Sequence, residues 1–306
     1  VRAVRPARLV TPLLWGGLAA LLAGAAAGRD AGAGVGLAAG AGVWLAVAAV
    51  TARGTLRRWR AATTPVPDAW RRWLAEHVRV YAGADEPARR RFERDVQIAL
   101  SELRFEAAAG ASVTESLRLA VAAGAALLLH GRPDWDLPFE RTILFVPDTF
   151  DEAYGDEEPG VYDGMVHAQG PVVLSSRATL AGWHRDDGHN VVLHELAHLF
   201  DMDGLGADGM PTFLDPRSAE AWGTLLRDEM RKARTGRSVL RGYAASAPAE
   251  LFAVATEQFF ERPARLRSRH PELFDALVAF YALTPPDEAA VEPGESWMAR
   301  RWEEGG

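Results

Sequence analysis

Two long apolar runs open the chain. Leu9 to Gly28 holds twenty residues without a charge, and Ala31 to Thr51 holds twenty-one more, with only Arg29-Asp30 between them. Each run is long enough to cross a bilayer core as an α-helix. Gly16, Ala20, Gly24 and Gly28 recur every four residues, as do Gly32, Gly36 and Gly40. Small residues at that spacing let two membrane helices approach closely. Beyond residue 60 the pattern becomes that of a water-soluble domain, with Pro65 and Pro67 marking its start. Asp68–Val80 and Asp85–Leu103 carry helical stripes of Trp70, Trp73, Leu74 and of Phe92, Val96, Leu100. Val113–Leu129 is a third helix, whose run from Ala120 is too short to span a membrane. Thr142–Val146 and Pro171–Leu174 read as short strands, with turns at Pro159-Gly160 and Asp163-Gly164. Trp183–Asn190 reads as a polar loop, and Ala219–Ala233, Ala249–Glu261 and Pro271–Leu283 as helices. The expectation is an α+β protein: a transmembrane helical hairpin over 1–52, a basic linker over 53–66, one mainly helical domain with a small β-sheet over 67–285, and a tail over 286–306.

Charge sharpens this division. The first 60 residues hold eight arginines and one acid, whereas the remainder holds 26 basic and 40 acidic side chains. Arg2, Arg5 and Arg8 precede the first apolar run, and Arg53, Arg57, Arg58 and Arg60 follow the second. Positive charge outside both ends places both termini, and the main domain, on the cytoplasmic face of the membrane. The arginines beside the second run suit anionic lipid head groups. The alternative is a signal peptide cleaved near Ala25-Ala-Ala27, with export of the rest. That would leave the apolar stretch Val43–Val50 uncovered near a mature N-terminus. The acidic remainder argues against direct nucleic-acid binding. The chain has no cysteine, so it forms no disulfide and offers no thiolate to a metal, which fits the cytoplasm.

The chemistry is concentrated in one segment. Val191 to Phe200 reads Val-Val-Leu-His-Glu-Leu-Ala-His-Leu-Phe, a His-Glu-x-x-His motif in an apolar helical run. Residues four apart share a helix face, so His194 and His198 can turn their imidazoles to one Zn²⁺ while Glu195 takes a proton from an activated water. A third protein ligand is required, and the downstream acids are Asp201, Asp203, Asp208, Asp215, Glu220, Glu250 and Glu257. Asp201 would have to fold back, which suits a supporting or helix-ending role. The run Asp201–Gly209 resembles a calcium loop but has Thr212 where the twelfth-position acid belongs, so it reads as a turn-rich loop. Glu250 stands out: it opens a helix behind the capping candidate Ser246 and Pro248, and five apolar residues follow it. Glu257, between Thr256 and Gln258, reads as a solvated acid, and His167, His184 and His189 as surface or loop histidines.

Three stretches resemble the Mlc titration factor A family of zinc peptidases: His194-Glu-Leu-Ala-His198-Leu-Phe-Asp201, Tyr243-Ala-Ala-Ser-Ala-Pro-Ala-Glu250-Leu-Phe-Ala-Val, and Glu257-Gln-Phe-Phe260. Gln169-Gly-Pro-Val-Val-Leu-Ser175 looks like that family's strand before the active-site helix, and the resemblance runs from about Trp70 to Tyr281. It implies a zincin-like, gluzincin-type metallopeptidase with His194, His198 and Glu250 as zinc ligands and Glu195 as general base. The family's site is similar to that of anthrax lethal factor, which implies that Tyr243, seven residues before Glu250, faces the metal. It further implies aminopeptidase-like cleavage of a peptide or protein substrate and binding of a sugar-responsive transcriptional repressor. The basic, apolar N-terminus departs from the family pattern. A substrate strand is expected to pair with Pro171–Ser175. A membrane-tethered binding module, with zinc mainly structural, is the other reading.

Overall fold

The computed structural model describes residues 6–137, 141–151, 161–166, 170–185, 187–202, 209–211 and 216–287. The turn at Pro159-Gly160, His167, Asp203, Asp208, Asp215 and nearly all of the 286–306 tail lie outside them. The chain divides into two compact units, Val1–Pro65 and Val66–Gly306.

The first unit is a pair of packed helices, α1 (Pro6–Ala31) and α2 (Ala33–Thr63). Gly32, at φ 89°, makes the reversal between them, a conformation that favours glycine. The glycines bring the two backbones into contact. A Cβ on Gly36 would lie 2.5 Å from the Gly24 carbonyl oxygen, and one on Gly40 would lie 2.8 Å from that of Ala20. Gly16 faces Val47, so the pair runs antiparallel. Leu14, Trp15, Leu21, Leu37, Leu45 and Val50 point outward and are exposed. α2 is long and apolar enough to cross a membrane by length and composition, and the apolar part of α1, Leu13–Arg29, is shorter. The stretch read as a basic linker is helical up to Thr63. Nothing between Arg53 and Thr63 forbids a helix, and the chain breaks only ahead of Pro65.

The second unit begins with α3 (Asp68–His77), α4 (Arg79–Ala82) and α5 (Glu86–Glu102), which the sequence pattern anticipates as two helices. Next come β1 (Arg104–Ala107), α6 (Glu115–Leu129), β2 (Thr142–Val146), β3 (Phe150–Asp151), β4 (Val161–Tyr162), β5 (Gly164–Val166), β6 (Val172–Ser175) and α7 (Ser176–Ala181). The chain continues through α8 (Val191–Asp201), α9 (Pro216–Arg234), a 3₁₀ turn (Gly242–Ala245), α10 (Pro248–Glu261), α11 (Pro263–Arg269) and α12 (Pro271–Tyr281). The main sheet has the order β1-β2-β6-β5. β1, β2 and β6 are parallel, and β5 returns antiparallel beside β6 with Gly164 opposite Leu174. Ile143, Phe145, Val172 and Leu174 are fully buried. The mixed sheet and surrounding helices make an α+β fold.

The core gathers around α6, α8 and α10, which are apolar on almost every face. α6 approaches α8 at Gly124, where an added Cβ would lie 2.6 Å from Val192 Cγ1. Side-chain caps fix several helix starts: Asp85 for α5, Thr114 for α6, Ser175 for α7 and Asn190 for α8. Ser246 does not cap α10. Ala247 holds that position without a side-chain bond, and the Ser246 hydroxyl donates to the Tyr243 carbonyl. Pro248 does occupy the first turn.

Because α8 leans on a glycine, Gly124→Val is expected to overpack the α6–α8 contact and cost about 1–3 kcal/mol. Urea denaturation of the full-length chain reads this directly. An unchanged midpoint would show that α8 can move away from α6 freely.

Candidate metal centre

Asn190 starts the helix that carries the motif. Its side chain accepts from Leu193 N at 3.2 Å and donates to the Gly182 carbonyl at 3.1 Å. Every residue of α8 from Val191 to Asp201 is buried, so His194, Glu195 and His198 have left bulk water and need partners. Four residues apart on one helix, the two imidazoles meet edge to face, their planes at 82°, with their Nε2 atoms 3.3 Å apart. Glu250, in the first turn of α10, closes the group. Its carboxylate oxygens lie 3.0 Å from His194 Nε2 and 3.6 Å from His198 Nε2.

This donor set suits a divalent metal. Zinc bonds of about 2.0–2.1 Å in tetrahedral geometry separate neighbouring donors by about 3.3 Å, close to these three separations. The three residues form a group that could hold a metal ion, and it includes no other acid among the described residues. Glu220 lies on the exposed side of α9. Asp201 accepts from Gly209 N at 2.8 Å, so its carboxylate joins the end of α8 to Gly209, in keeping with a supporting or helix-ending role. His184 caps the Leu180 carbonyl at 2.6 Å, and His189 lies 4.0 Å from Asp163, so neither reaches the cluster.

Glu257 overturns its sequence reading. It is 0 % exposed, and its neighbours Thr256 and Gln258 are themselves buried polar residues of α10. One carboxylate oxygen accepts from His194 Nδ1 at 2.7 Å and from Arg241 Nη2. The other accepts from Asn190 N at 2.7 Å. A carboxylate on Nδ1 holds a proton there and turns Nε2, the nitrogen left for a metal, towards Glu250 and His198. Arg241 carries no motif signal and is missed from sequence altogether. Tyr243 sits on the 3₁₀ turn, 45 % exposed, with its ring 6.0 Å from that of His194. That exposure is too large for a core-packing tyrosine.

With protons as the only cations, the cluster draws one in. Burial pushes His194 down, but hydrogen bonds to Glu250 and Glu257 outweigh it and raise the imidazole to about 10. Burial raises Glu250, and its contacts with His194 and His198 more than reverse this, holding it below the usual carboxylate range. Glu195 goes the other way: burial raises it, and the nearby histidines only partly compensate.

The strand expected to receive substrate is ruled out by the sheet order. β6 is paired on both sides, with β2 and with β5, so its backbone groups are occupied. Among the described residues β5 forms that edge of the sheet. Gly164, at its start, lies against the motif: an added Cβ would be 2.7 Å from both Cγ and Oε1 of Glu195.

A family model described as glucose-regulated metallo-peptidase M90 matches residues 53–282. An uncharacterized protein of Synechocystis sp. is 29% identical over 237 residues, covering 72% of this chain and 86% of the relative. A protein named Mlc titration factor A from Edwardsiella ictaluri is 36% identical over 135 residues, which are 42% of this chain and 51% of the relative. Its namesake from Salmonella agona is 28% identical over 177 residues, 53% and 66% respectively.

A metal ligand must be deprotonated, so a metal entering the cluster displaces the His194 proton. Titration calorimetry with Zn²⁺ near pH 7.5, in buffers of differing ionisation heat, is expected to count about one proton released per metal. Affinity then rises with pH towards about 10, where the imidazole would lose its proton unaided. A release of zero protons would remove His194 from the ligand set.

Proposed function

This chain belongs to the glucose-regulated metallo-peptidase M90 family, and from that premise we propose that it is a zinc-dependent peptidase whose domain spans residues 67–285. The ligands are His194, His198 and Glu250. The carrying observation is Glu195: a buried carboxylate of raised pKa, one residue from His194 and beneath an edge strand. Bound at the cluster, zinc supplies a Lewis acid that polarises a carbonyl and brings a water's pKa near 7. Glu195 takes the proton of the attacking water and passes it to the leaving amine. Burial, which raises its pKa in the metal-free cluster, favours this work, because an ordinary carboxylate is too weak a base near neutral pH. Tyr243, beside His194 and open to solvent, donates a hydrogen bond to the oxygen that gains charge in the transition state. An extended peptide adds along β5, whose outer edge has no strand beside it among the described residues.

Turnover of a peptide library by the full-length chain tests this reading. Glu195→Gln is expected to abolish measurable turnover and keep its zinc. Tyr243→Phe is expected to lower turnover about a hundredfold, on the order of 3 kcal/mol, with melting temperature little changed. Full activity in a zinc-loaded Tyr243→Phe protein would sink the tyrosine's role. The names of the Edwardsiella and Salmonella relatives favour a second reading, in which the chain captures a transcriptional repressor and zinc is structural. Repressor capture by a wild-type chain that cleaves no peptide in the library would favour it.

We further propose that α1 and α2 cross the cytoplasmic membrane as a hairpin, with the catalytic domain in the cytoplasm and the arginines after Thr51 near anionic lipid. The length and hydropathy of α2 and the outward apolar side chains support this. A reporter active only outside the cytoplasm, fused after residue 60, is expected to be silent. Strong activity there, or cleavage near Ala27, would instead indicate export.

A further inference from the structure

The segment between α9 and the 3₁₀ turn is held at two points. At the first, His270 donates from Nδ1 to Glu229 at 2.5 Å, and Glu229 also pairs with Lys232 at 2.7 Å. With its proton on Nδ1, His270 Nε2 accepts from Val239 N at 3.2 Å and lies 3.1 Å from the Ser238 hydroxyl. The Ser238 oxygen in turn accepts from Leu240 N at 3.0 Å. Serine, histidine and glutamate in sequence invite comparison with a nucleophilic triad. Here, however, Nε2 is engaged by a backbone N–H and the imidazole is fully buried, so the group works as a pin for the loop.

The second point is Arg241. Its Nη2 donates to Glu257 Oε1 and lies 3.3 Å from His194 Nδ1. The residue also precedes the 3₁₀ turn, whose second residue is Tyr243. Glu257 is the fully buried carboxylate that orients His194, and such a charge is costly without a compensating cation. We propose that Arg241 is a positioning residue for the metal centre. Clamped on Glu257, its guanidinium keeps His194 Nε2 turned to the metal and holds the turn that presents Tyr243. Two functions separated along the chain are thereby joined: the affinity of the metal site and the placement of the transition-state donor. The inference rests on the reading of His194 as a metal ligand.

The test compares full-length wild type, Arg241→Met, Arg241→Lys, Glu257→Gln and the Arg241→Met/Glu257→Gln double variant. Zn²⁺ affinity is measured against a competing chelator, and the visible absorption of the Co²⁺-loaded proteins reports ligand geometry. Arg241→Met is expected to weaken zinc about 10–100-fold and shift the Co²⁺ bands, as loss of a partner behind a metal ligand does. Arg241→Lys, which restores the charge, should recover part of the loss. Both single changes act on one contact, so the double variant should bind only about as weakly as the weaker single variant. Should Arg241→Met fail to fold, Arg241→Lys and Glu257→Gln carry the comparison, each expected to weaken zinc and shift the bands. Zinc affinity within twofold of wild type and unshifted bands in the folded Arg241 variants would overturn the proposal. So would fully multiplicative losses in the double variant. A wild-type chain that takes up no metal would instead defeat the underlying reading of the cluster.

Discussion

A carboxylate with no access to water organises this site. Glu257 is fully buried, and a charge in that position persists only where donors surround it. It draws its donors from three places: the backbone N–H that opens α8, the imidazole of His194, and the guanidinium of Arg241. One side chain thus fixes the register of α8 against α10, the rotation of a candidate ligand and the path of the loop before the 3₁₀ turn. Removing it would leave a buried guanidinium edge and a mobile imidazole, so loss of metal affinity and loss of packing would come together.

The neighbouring elements meet at positions without side chains. Gly124 lets α6 approach the helix that carries the motif, and Gly164 lets β5 lie on Glu195. In both places even a single added carbon would press on α8. The same device serves another end in the first unit, where Gly24, Gly36 and Gly40 bring two apolar helices to backbone contact while Leu14, Leu21 and Leu45 remain outside. In the second unit the close approach packs its neighbours against the helix that carries the candidate histidine ligands. In the first it leaves an apolar exterior.

What could be read from the sequence follows the range of the interactions involved. The spacing of His194 and His198 is a local property of a helix, and Glu250 announces itself by the apolar residues after it. Strand β2 begins and ends where the short apolar run Thr142–Val146 does, and β6 is displaced by one residue. Strands β1 and β5 are four and three residues long and exist through their partners, so no period marks them. For Glu257 the signal was misleading: polar neighbours imply solvent only when they are themselves exposed, and Thr256 and Gln258 are not. Arg241 joins α10 and α8 across 16 and 47 residues, a distance over which sequence patterning carries no information.

The charges at the centre connect its composition to its chemistry. Glu195, Glu250 and Glu257 bring three formal negative charges, and Arg241 returns one positive. Two negative charges remain with both histidines neutral. A proton on His194 cancels only one of them, and the raised pKa of Glu195 accompanies that imbalance, though burial is its larger cause. A divalent cation cancels both at the point where two imidazoles and Glu250 converge, leaving His194 neutral and able to bind it. Glu195 is then free of the need to balance the cluster. It stays buried beside Gly164, and the cation works against the rise that burial gives its pKa in the metal-free cluster. The same burial that makes the cluster demand a cation therefore also holds its one uncommitted carboxylate away from bulk water, one residue from His194.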